Sequence, residues 1–265
     1  MKEYLVFRLY APLASWGEAA PGEIRPSATV PTRSALLGLL AAALGIRRDE
    51  EERLNAFNQH YHLAIHDLAT QTRWLRDYHT VSAPRENKKR RYYTRRDELC
   101  QAPEEVGTIV SQREYRCDGY WHIAVSATAQ APYSLEQLRQ ALLEPHFPLY
   151  LGRKSCPLAL PMQPEVRSGT LKEVFTEAAQ ALLSATAEAL FSTADPEASQ
   201  RTQQQLIACG RESFFSADGA CYWDDPEESS LTWQQKLHEN NQPLSRKRWQ
   251  FGRYIRFCGT LQEGK

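Results

Sequence analysis

The segment Tyr4–Tyr10 constrains the fold more than any other stretch, because six of its seven residues are apolar or aromatic. Its letters, YLVFRLY, include no glycine, proline or acid that would interrupt a strand. Such a run is typical of a strand that is buried on both faces. We therefore expect the chain to begin with a central strand of its sheet.

Two helices are predicted after a loop that ends at Pro31. In TRSALLGLLAAALG, Thr32 suits the N-cap position, leucines recur on one face, and Gly45 suits the position after the C-cap. The acidic stretch at residues 49–61, DEEERLNAFNQHY, predicts a second short helix.

The next elements complete a recognisable order. Residues 62–69 and 120–129 are typical of core strands, and residues 134–145 predict a capped amphipathic helix. A further strand or extended segment is expected at residues 148–151. This β-α-β-β-α-β order predicts an α+β protein with a ferredoxin-like (RRM-like) core. RNA-recognition modules share that fold, but a fold alone does not establish a function.

A dense basic run lies in an insertion between two of these strands. Residues 85–96, RENKKRRYYTRR, hold seven cations and one acid, although the whole chain balances 32 Lys and Arg against 32 Asp and Glu. Cations neutralise phosphates and tyrosines stack on bases, so the run favours single-stranded nucleic acid. A solvated loop is the alternative. Residues 108–118 have the composition of a returning strand, which predicts an extended arm.

Two other places favour contact with an anion. In PLYLGRKSCPLALP, Gly152 is followed by two cations and a serine, so backbone, charge and hydroxyl can engage one phosphate. The spacing is not that of a Walker A loop, and a tight turn is the alternative. In PTRSALLG, Arg33 and Ser34 occupy the first helical turn, where free N–H groups favour an anion. An exposed arginine with no partner is the alternative there.

No motif indicates a metal or nucleotide cofactor, and we expect none. The six cysteines form no C-x-x-C pair and are expected as free thiols. His62 and His66 lie four residues apart on a predicted strand, whereas that spacing presents metal ligands on a helix. One catalytic alternative remains in RDYHTV, where His79 with nearby Lys88 and Lys89 can supply acid and base for metal-independent RNA cleavage.

Nothing in the chain indicates a membrane protein. The start, MKEYLVFRLY, lacks the long apolar region of a signal peptide. No run of about 18 apolar residues is present that would span a bilayer. We expect a cytoplasmic protein.

The last hundred residues predict a smaller second part. We expect two domains, residues 1–161 and a C-terminal α/β extension at residues 162–265. The elements expected in the extension are a helix at 170–191, another helix at 196–210, a hairpin that turns at Asp218-Gly219, and a last strand within 245–259.

Five separated motifs occur in the order seen in one protein family. They are YLVFRLYAPLASWG, RPSATVPTRSALLGLLAAALGI, LRDYHTV, REYRCD and PLYLGRKSCPL. Through residue 161 the chain resembles the CasD family, the guide-capping subunits of the type I-E CRISPR surveillance complex Cascade. Agreement of several motifs in order and spacing is more specific than any one of them.

The resemblance implies a RAMP-superfamily protein with a ferredoxin-like core and a protruding thumb, here residues 74–118. Such subunits hold the 5′ handle of the CRISPR guide RNA without cleaving it. They contact the backbone subunit and the large PAM-recognising subunit of the complex. The RNA-binding residues expected from the motifs and the resemblance are Arg25, Thr32, Arg33, Ser34, Arg85, Lys88, Lys89, Arg90, Arg91, Tyr92, Tyr93, Arg95, Arg96, Arg113, Tyr150, Gly152, Arg153, Lys154 and Ser155.

The chain also departs from the family. Shorter members lack the helical stretch at residues 170–210, and the thumb is more basic here than the family requires, which leaves open a contact with target DNA. In a related subtype the equivalent subunit is itself the processing ribonuclease. The alternative to a non-catalytic scaffold is therefore a metal-independent endoribonuclease that processes precursor CRISPR RNA.

Overall fold

The computed structural model describes residues 2–20, 22–69, 71–85, 90–191, 215–245, 248 and 250–261, without the side chains of residues 103 and 184–191. The strands within these ranges are β1 (Lys2–Ala14), β2 (Trp16–Gly17), β3 (Ile24–Arg25), β4 (Ser27–Ala28), β5 (Tyr61–Asp67), β6 (Arg73–Pro84), β7 (Val106–Ala127), β8 (Glu165–Gly169), β9 (Ala220–Trp223), β10 (Trp233–Ser245) and β11 (Gln250–Thr260). The helices are α1 (Arg33–Ala43), α2 (Glu51–His60), α3 (Arg95–Leu99), α4 (Leu135–Leu143) and α5 (Leu171–Phe191).

One large sheet organises the molecule, with the order β10-β11-β9-β5-β7-β1-β8. The expected first strand is confirmed as β1, which lies between β7 and β8. Of the two forms expected at residues 148–151, the strand prediction is wrong, because Tyr150 forms only an isolated bridge to Pro157. The strand that pairs with the free edge of β1 is β8 instead.

Alternating side chains of β1 reach two separate apolar layers. Leu5, Phe7 and Leu9 pack into the layer beneath α1 and α4. Tyr4 and Val6 pack on the opposite face, beneath α5. Both faces of the central sheet are therefore covered, which is why the sequence of β1 is apolar at successive positions.

The predicted arm is formed by β6 and the first half of β7. The two strands pair in register from Arg73↔Cys117 to Pro84↔Val106. Eleven residue steps of about 3.2 Å, as in a twisted strand, give the arm a length of about 35 Å. The returning strand was predicted, but it continues without a break into the core as one 22-residue strand. Strand β6 was not predicted.

The C-terminal strands extend the same sheet. Strand β9 pairs with both β5 and β11, and β11 pairs with β10. The predicted hairpin with its turn at Asp218-Gly219 is wrong, because the partners of β9 come from distant parts of the chain. The predictions of the helix at 170–191 and of a last strand are confirmed by α5 and β11. The helix predicted at 196–210 lies outside the described residues, and the two-domain division stays a prediction.

Candidate nucleic-acid interface

A groove of about 1490 Å³ runs between the start of α1, the glycine loop at residues 147–157 and the β10–β11 hairpin. We call it the main groove. Two predicted residues of the helix start line it, Thr32 and Ser34, and so do three of the glycine loop, Tyr150, Gly152 and Lys154. The structure thus brings together two segments that lie more than a hundred residues apart in the sequence.

The start of α1 has the predicted cap. The Thr32 hydroxyl accepts a hydrogen bond from the Ala35 backbone N–H, and the Ser34 hydroxyl lies 3.3 Å from it. The first turn contains no acidic side chain. The positive end of the helix dipole therefore faces the main groove without a carboxylate of its own turn to neutralise it.

Arg33 is a correction to the predicted interface. Its guanidinium is buried, forms an ion pair with Asp224, and donates to the Asn58 and Tyr61 carbonyl oxygens at 2.7 and 3.0 Å. Asp224, an acid from the C-terminal part of the chain, therefore occupies the place that was predicted for an RNA phosphate. We leave Arg33 out of the interface.

Gly152 is required by packing. Its φ is +85°, and a Cβ placed on it would lie 1.8 Å from the Ser15 carbonyl oxygen. The loop is held there by the Ser15 N–H, which donates to the Leu151 carbonyl oxygen at 3.0 Å. The close backbone approach predicted for this glycine is real, but its partner in the structure is Ser15. Lys154 and Ser155 follow it on the surface.

Three predicted cations gather at the base of the arm. Strand β3 pairs in parallel with β7, which sets Arg25 beside Arg113. Arg153 lies over the Tyr115 ring at 4.8 Å and donates to the Arg25 carbonyl oxygen at 3.4 Å. Among the described residues, the buried Nη1 of Arg153 has no hydrogen-bond partner. This cluster lies next to the main groove, because the glycine loop contributes to both.

The tip of the arm carries the rest of the basic run. Arg90 forms an ion pair with Glu105, and Arg95 forms one with Glu98. Thr94 caps α3 in a reciprocal capping box with Asp97, so part of the run is a short helix that was not predicted. Acids later in the insertion therefore fold back onto the basic run and neutralise part of its charge.

The remaining tip residues are more open. Tyr93 is 82% exposed. Arg85, Arg91 and Arg96 are exposed, and Tyr92 is half-buried. Lys88 and Lys89 lie outside the described residues. Because the arm is about 35 Å long, these residues cannot share one binding site with the main groove.

The sequence did not point to the third wall of the main groove. It is formed by Leu237, His238, Asn240, Asn241 and Phe251 of the hairpin, with Arg48 at the far end of α1. Strand β10 is rich in Gln and Asn, and register shifts interrupt its pairing, so its sequence lacks a regular strand pattern. The last strand predicted from the sequence, β11, was the one signal that could have pointed to a pairing partner here.

The histidines divide into buried and exposed groups. His66 and His122 face each other across β5 and β7, and burial lowers their pKa to about 4 and about 3. The ring of His66 contacts the Ala217 carbonyl oxygen at 3.1 Å. His79, the catalytic alternative, is exposed on the arm, with Nδ1 3.6 Å from an Asp77 carboxylate oxygen.

Across the described ranges, no helix combines the length and apolar character needed to cross a membrane. Within the same ranges, no three His, Cys, Asp or Glu side chains come together as a metal-binding group.

The sheet, the arm and the main groove define an α+β protein that carries a long hairpin beside a large cleft. A family model described as "CRISPR-associated protein (Cas_Cas5)" matches residues 4–253. The chain therefore belongs to the CRISPR-associated protein (Cas_Cas5) family, and the resemblance found in the sequence motifs is confirmed.

Individual relatives agree with this assignment. The chain is 36% identical over 169 residues to "CRISPR system Cascade subunit CasD" of Escherichia coli (strain K12). The aligned region covers 61% of this chain and 70% of that protein. A solved chain titled "CRISPR RNA-guided surveillance complex" matches with a TM-score of 0.57 and 21% identity, over 97% of this chain and 89% of that one. Another, "Crystal structure of Cas protein", matches with a TM-score of 0.54 and 19% identity, over 97% and 94%.

Proposed function

We propose that this protein is a non-catalytic subunit of a type I-E Cascade complex that binds the 5′ handle of the guide RNA. The observation that carries the proposal is the main groove, where the α1 start and the glycine loop meet in a chain of the Cas_Cas5 family. The identity to the Escherichia coli Cascade subunit supports the same complex.

The core of the proposal is a ferredoxin-like fold of the RAMP kind. Strands β5, β7, β1 and β8 lie side by side in that order, with α1 after β1 and α4 after β7. This arrangement supports the β-α-β-β-α-β interpretation. In RNA-recognition modules the open sheet face stacks bases, whereas here α5 covers that face. RNA is therefore assigned to the main groove and to the arm.

Each part of the interface has a distinct task in this proposal. Lys154, Ser155 and the backbone N–H groups at the start of α1 contact handle phosphates, and Tyr150 offers a ring to a base. Contacts with Arg25, Arg113 and Arg153 guide the RNA strand from the main groove to the arm. The exposed cations and tyrosines of the arm tip contact guide RNA farther along, or target DNA.

The other partners follow from the same assignment. The backbone subunit and the large PAM-recognising subunit are the proposed protein partners, with the arm as the contact to the backbone. Both arm faces expose apolar side chains, including Trp74, Tyr78, Val81 and Ile109. An arm with two apolar faces is suited to a position between neighbouring chains.

The test uses a labelled guide RNA with an intact 5′ handle, in EDTA, with binding and cleavage measured on the same sample. We expect tight binding of uncleaved RNA, and Lys154→Gln lowers the slope of log K against log salt by about 0.7 for one lost phosphate contact. Arg139→Gln removes one charge from α4, away from the groove, and serves as the matched control.

Two outcomes would contradict the proposal. Equal binding of handle RNA and of a shuffled sequence, with no effect of Lys154→Gln, would remove the main groove as a handle site. Site-specific cleavage that His79→Ala abolishes would establish the endoribonuclease alternative instead.

A further inference from the structure

The β10–β11 hairpin has a second face that the proposed function does not use. Along β11, Arg253, Ile255 and Phe257 alternate with Tyr254, Arg256 and Cys258. Arg256 points to the main groove, where it donates to the Pro31 carbonyl oxygen at 3.0 Å. Phe257 packs into the layer beneath α5, on the opposite side of the sheet, and strand alternation places Arg253 and Ile255 on that side with it. Nearer the turn, beyond a register shift, Phe251 lines the main groove.

Strand β10 adds two residues to that side. Lys236 pairs with Phe257, and Trp233 pairs with Gly259, so both project on the same face as Phe257. We define the outer hairpin face by five residues: Trp233, Lys236, Arg253, Ile255 and Phe257. Helix α5 covers this side of the sheet over β1, β7 and β8. The hairpin extends beyond that cover.

The outer hairpin face is aromatic and apolar. Trp233 is 51% exposed and Ile255 is 44% exposed. Phe257 is half-buried and stacks on the buried Trp223, with ring centroids 6.0 Å apart and an interplanar angle of 25°. Trp233 lies 6.3 Å from Phe257. The rings are held in place by this packing, so ligand stacking on Trp233 does not first have to order them.

The charge on this face is positive. The Lys236 ammonium lies 4.6 Å from the Trp233 ring centroid and 5.6 Å from that of Phe257. Arg253 is exposed, and within the described part of the chain neither cation has an ion-pair partner.

Three acids near the hairpin have cationic partners of their own. Glu239 lies on the groove side, where Arg256 and Tyr254 donate to it. Asp224 and Asp225 form ion pairs with Arg33 and Lys2. Glu239 therefore lies on the groove side, whereas Lys236 and Arg253 lie on the outer hairpin face with no ion-pair partner among the described residues. This separation selects an anionic partner over an apolar or cationic one.

We propose that the outer hairpin face binds a single strand of nucleic acid, independently of the main groove. An exposed ring on a sheet, flanked by cations without acid partners, matches the two features that such strands need: a stacking surface and phosphate neutralisation. An acidic protein segment would use the cations but would leave Trp233 without a stacking partner. The distance from Arg253 to Phe257 is about 13 Å along β11, so the surface holds only a few nucleotides.

The test measures binding of labelled 15-nucleotide oligo(U) and oligo(dT), neither of which contains a handle sequence, to the full chain at several salt concentrations. Lys236→Gln with Arg253→Gln lowers the magnitude of the salt slope by about 1.4, for two lost phosphate contacts on a single strand. The double variant Arg139→Gln with Arg167→Gln removes the same net charge elsewhere and leaves the slope unchanged. The two oligonucleotides distinguish RNA from DNA.

Trp233 provides the site-specific part of the test. Trp233→Ala weakens binding by about 5- to 150-fold if one base stacks on it, and Trp233→Phe keeps most of the affinity. A bromouracil-labelled oligo(dT) crosslinks to the peptide that contains Trp233.

Several results would overturn this inference. The first is unchanged affinity and salt slope in variants that fold. The second is crosslinking confined to the arm or the main groove. The third is that poly-glutamate binds the hairpin while the oligonucleotide stays bound at another site. The last result would make the face an acidic-protein site. Because Lys154→Gln acts on handle RNA and these variants act on oligo(U) and oligo(dT), failure here is distinguishable from failure of the proposed function.

Discussion

Gly152 gives the sharpest quantitative prediction, because two separate physical terms forbid a side chain there. Its φ of +85° lies in the left-handed region, and an added Cβ would lie 1.8 Å from the Ser15 carbonyl oxygen. Gly22 provides a matched control within the same chain. Its φ is +77°, but nothing lies within 4 Å of an added Cβ.

The two terms can be separated by substituting alanine at both positions. At Gly22, alanine costs about 1–2 kcal/mol for the left-handed backbone, less about 0.4–1 kcal/mol gained from a less flexible unfolded chain. At Gly152 the same backbone terms apply, and moving the Ser15 backbone adds about 1–3 kcal/mol of overpacking strain. We therefore expect Gly152→Ala to lose about 1–3 kcal/mol more unfolding free energy than Gly22→Ala.

The assay is urea unfolding of the two variants and the parent, followed by handle RNA binding under native conditions. Displacement of the loop also moves Tyr150 and Lys154, so Gly152→Ala should weaken handle RNA binding while Gly22→Ala leaves it unchanged. Equal unfolding free energies for the two variants would show that the Ser15 contact is relaxed at no cost. That result would refute the packing argument for this loop.

Two further predictions concern buried charge and buried histidine. Asp224→Asn leaves the buried Arg33 guanidinium without its counter-ion, and we expect urea titration to show a loss of about 3–5 kcal/mol of unfolding free energy. The control, Glu50→Gln, removes an exposed ion pair with Arg53 and should cause little change. Equal losses in the two variants would contradict the assignment of Asp224 as the counter-ion of Arg33. The pKa values of His66 and His122 are lowered to about 4 and about 3, so between pH 6.5 and 4 the unfolded chain binds more protons than the folded chain. The unfolding free energy is therefore highest above about pH 6.5 and falls below it by about 1.4 kcal/mol per pH unit for each histidine. His122→Gln should remove one such contribution from the dependence of unfolding free energy on pH, measured between pH 7 and 5. An unchanged dependence would show that His122 binds its proton in the folded state.

The local elements were largely predictable because their signals are local. The apolar run of β1, the Thr32 cap and Gly45 after α1 each act within a few residues, and the structure has all three. The returning strand of the arm was predicted from its composition alone. Strand β6 was missed because an arm exposed on both sides has no single buried face to produce an alternating pattern.

The candidate site was predictable only in part, and Arg33 shows why. A cation in the first turn of a helix requires a negative partner, and the sequence contains no information on whether that partner is a ligand or a distant acid. Asp224 lies 191 residues away and reaches Arg33 through the pairing of β9 with β5. Similarly, Glu105 and Glu98 reduce the free charge of the arm tip only once the insertion has folded back.

By itself the sequence determined helices α1, α2, α4 and α5, strands β1, β5 and β7, and the projecting arm, and it predicted two segments that favour an anion. Those features depend on side-chain pattern and on residues next to one another in the chain. Only the tertiary structure decided that the two segments share the main groove, that Arg33 does not belong to it, and that the β10–β11 hairpin forms its third wall. The physical reason is that these outcomes depend on strand pairings between distant residues, which place the β10–β11 hairpin in the same sheet as β1 and β5.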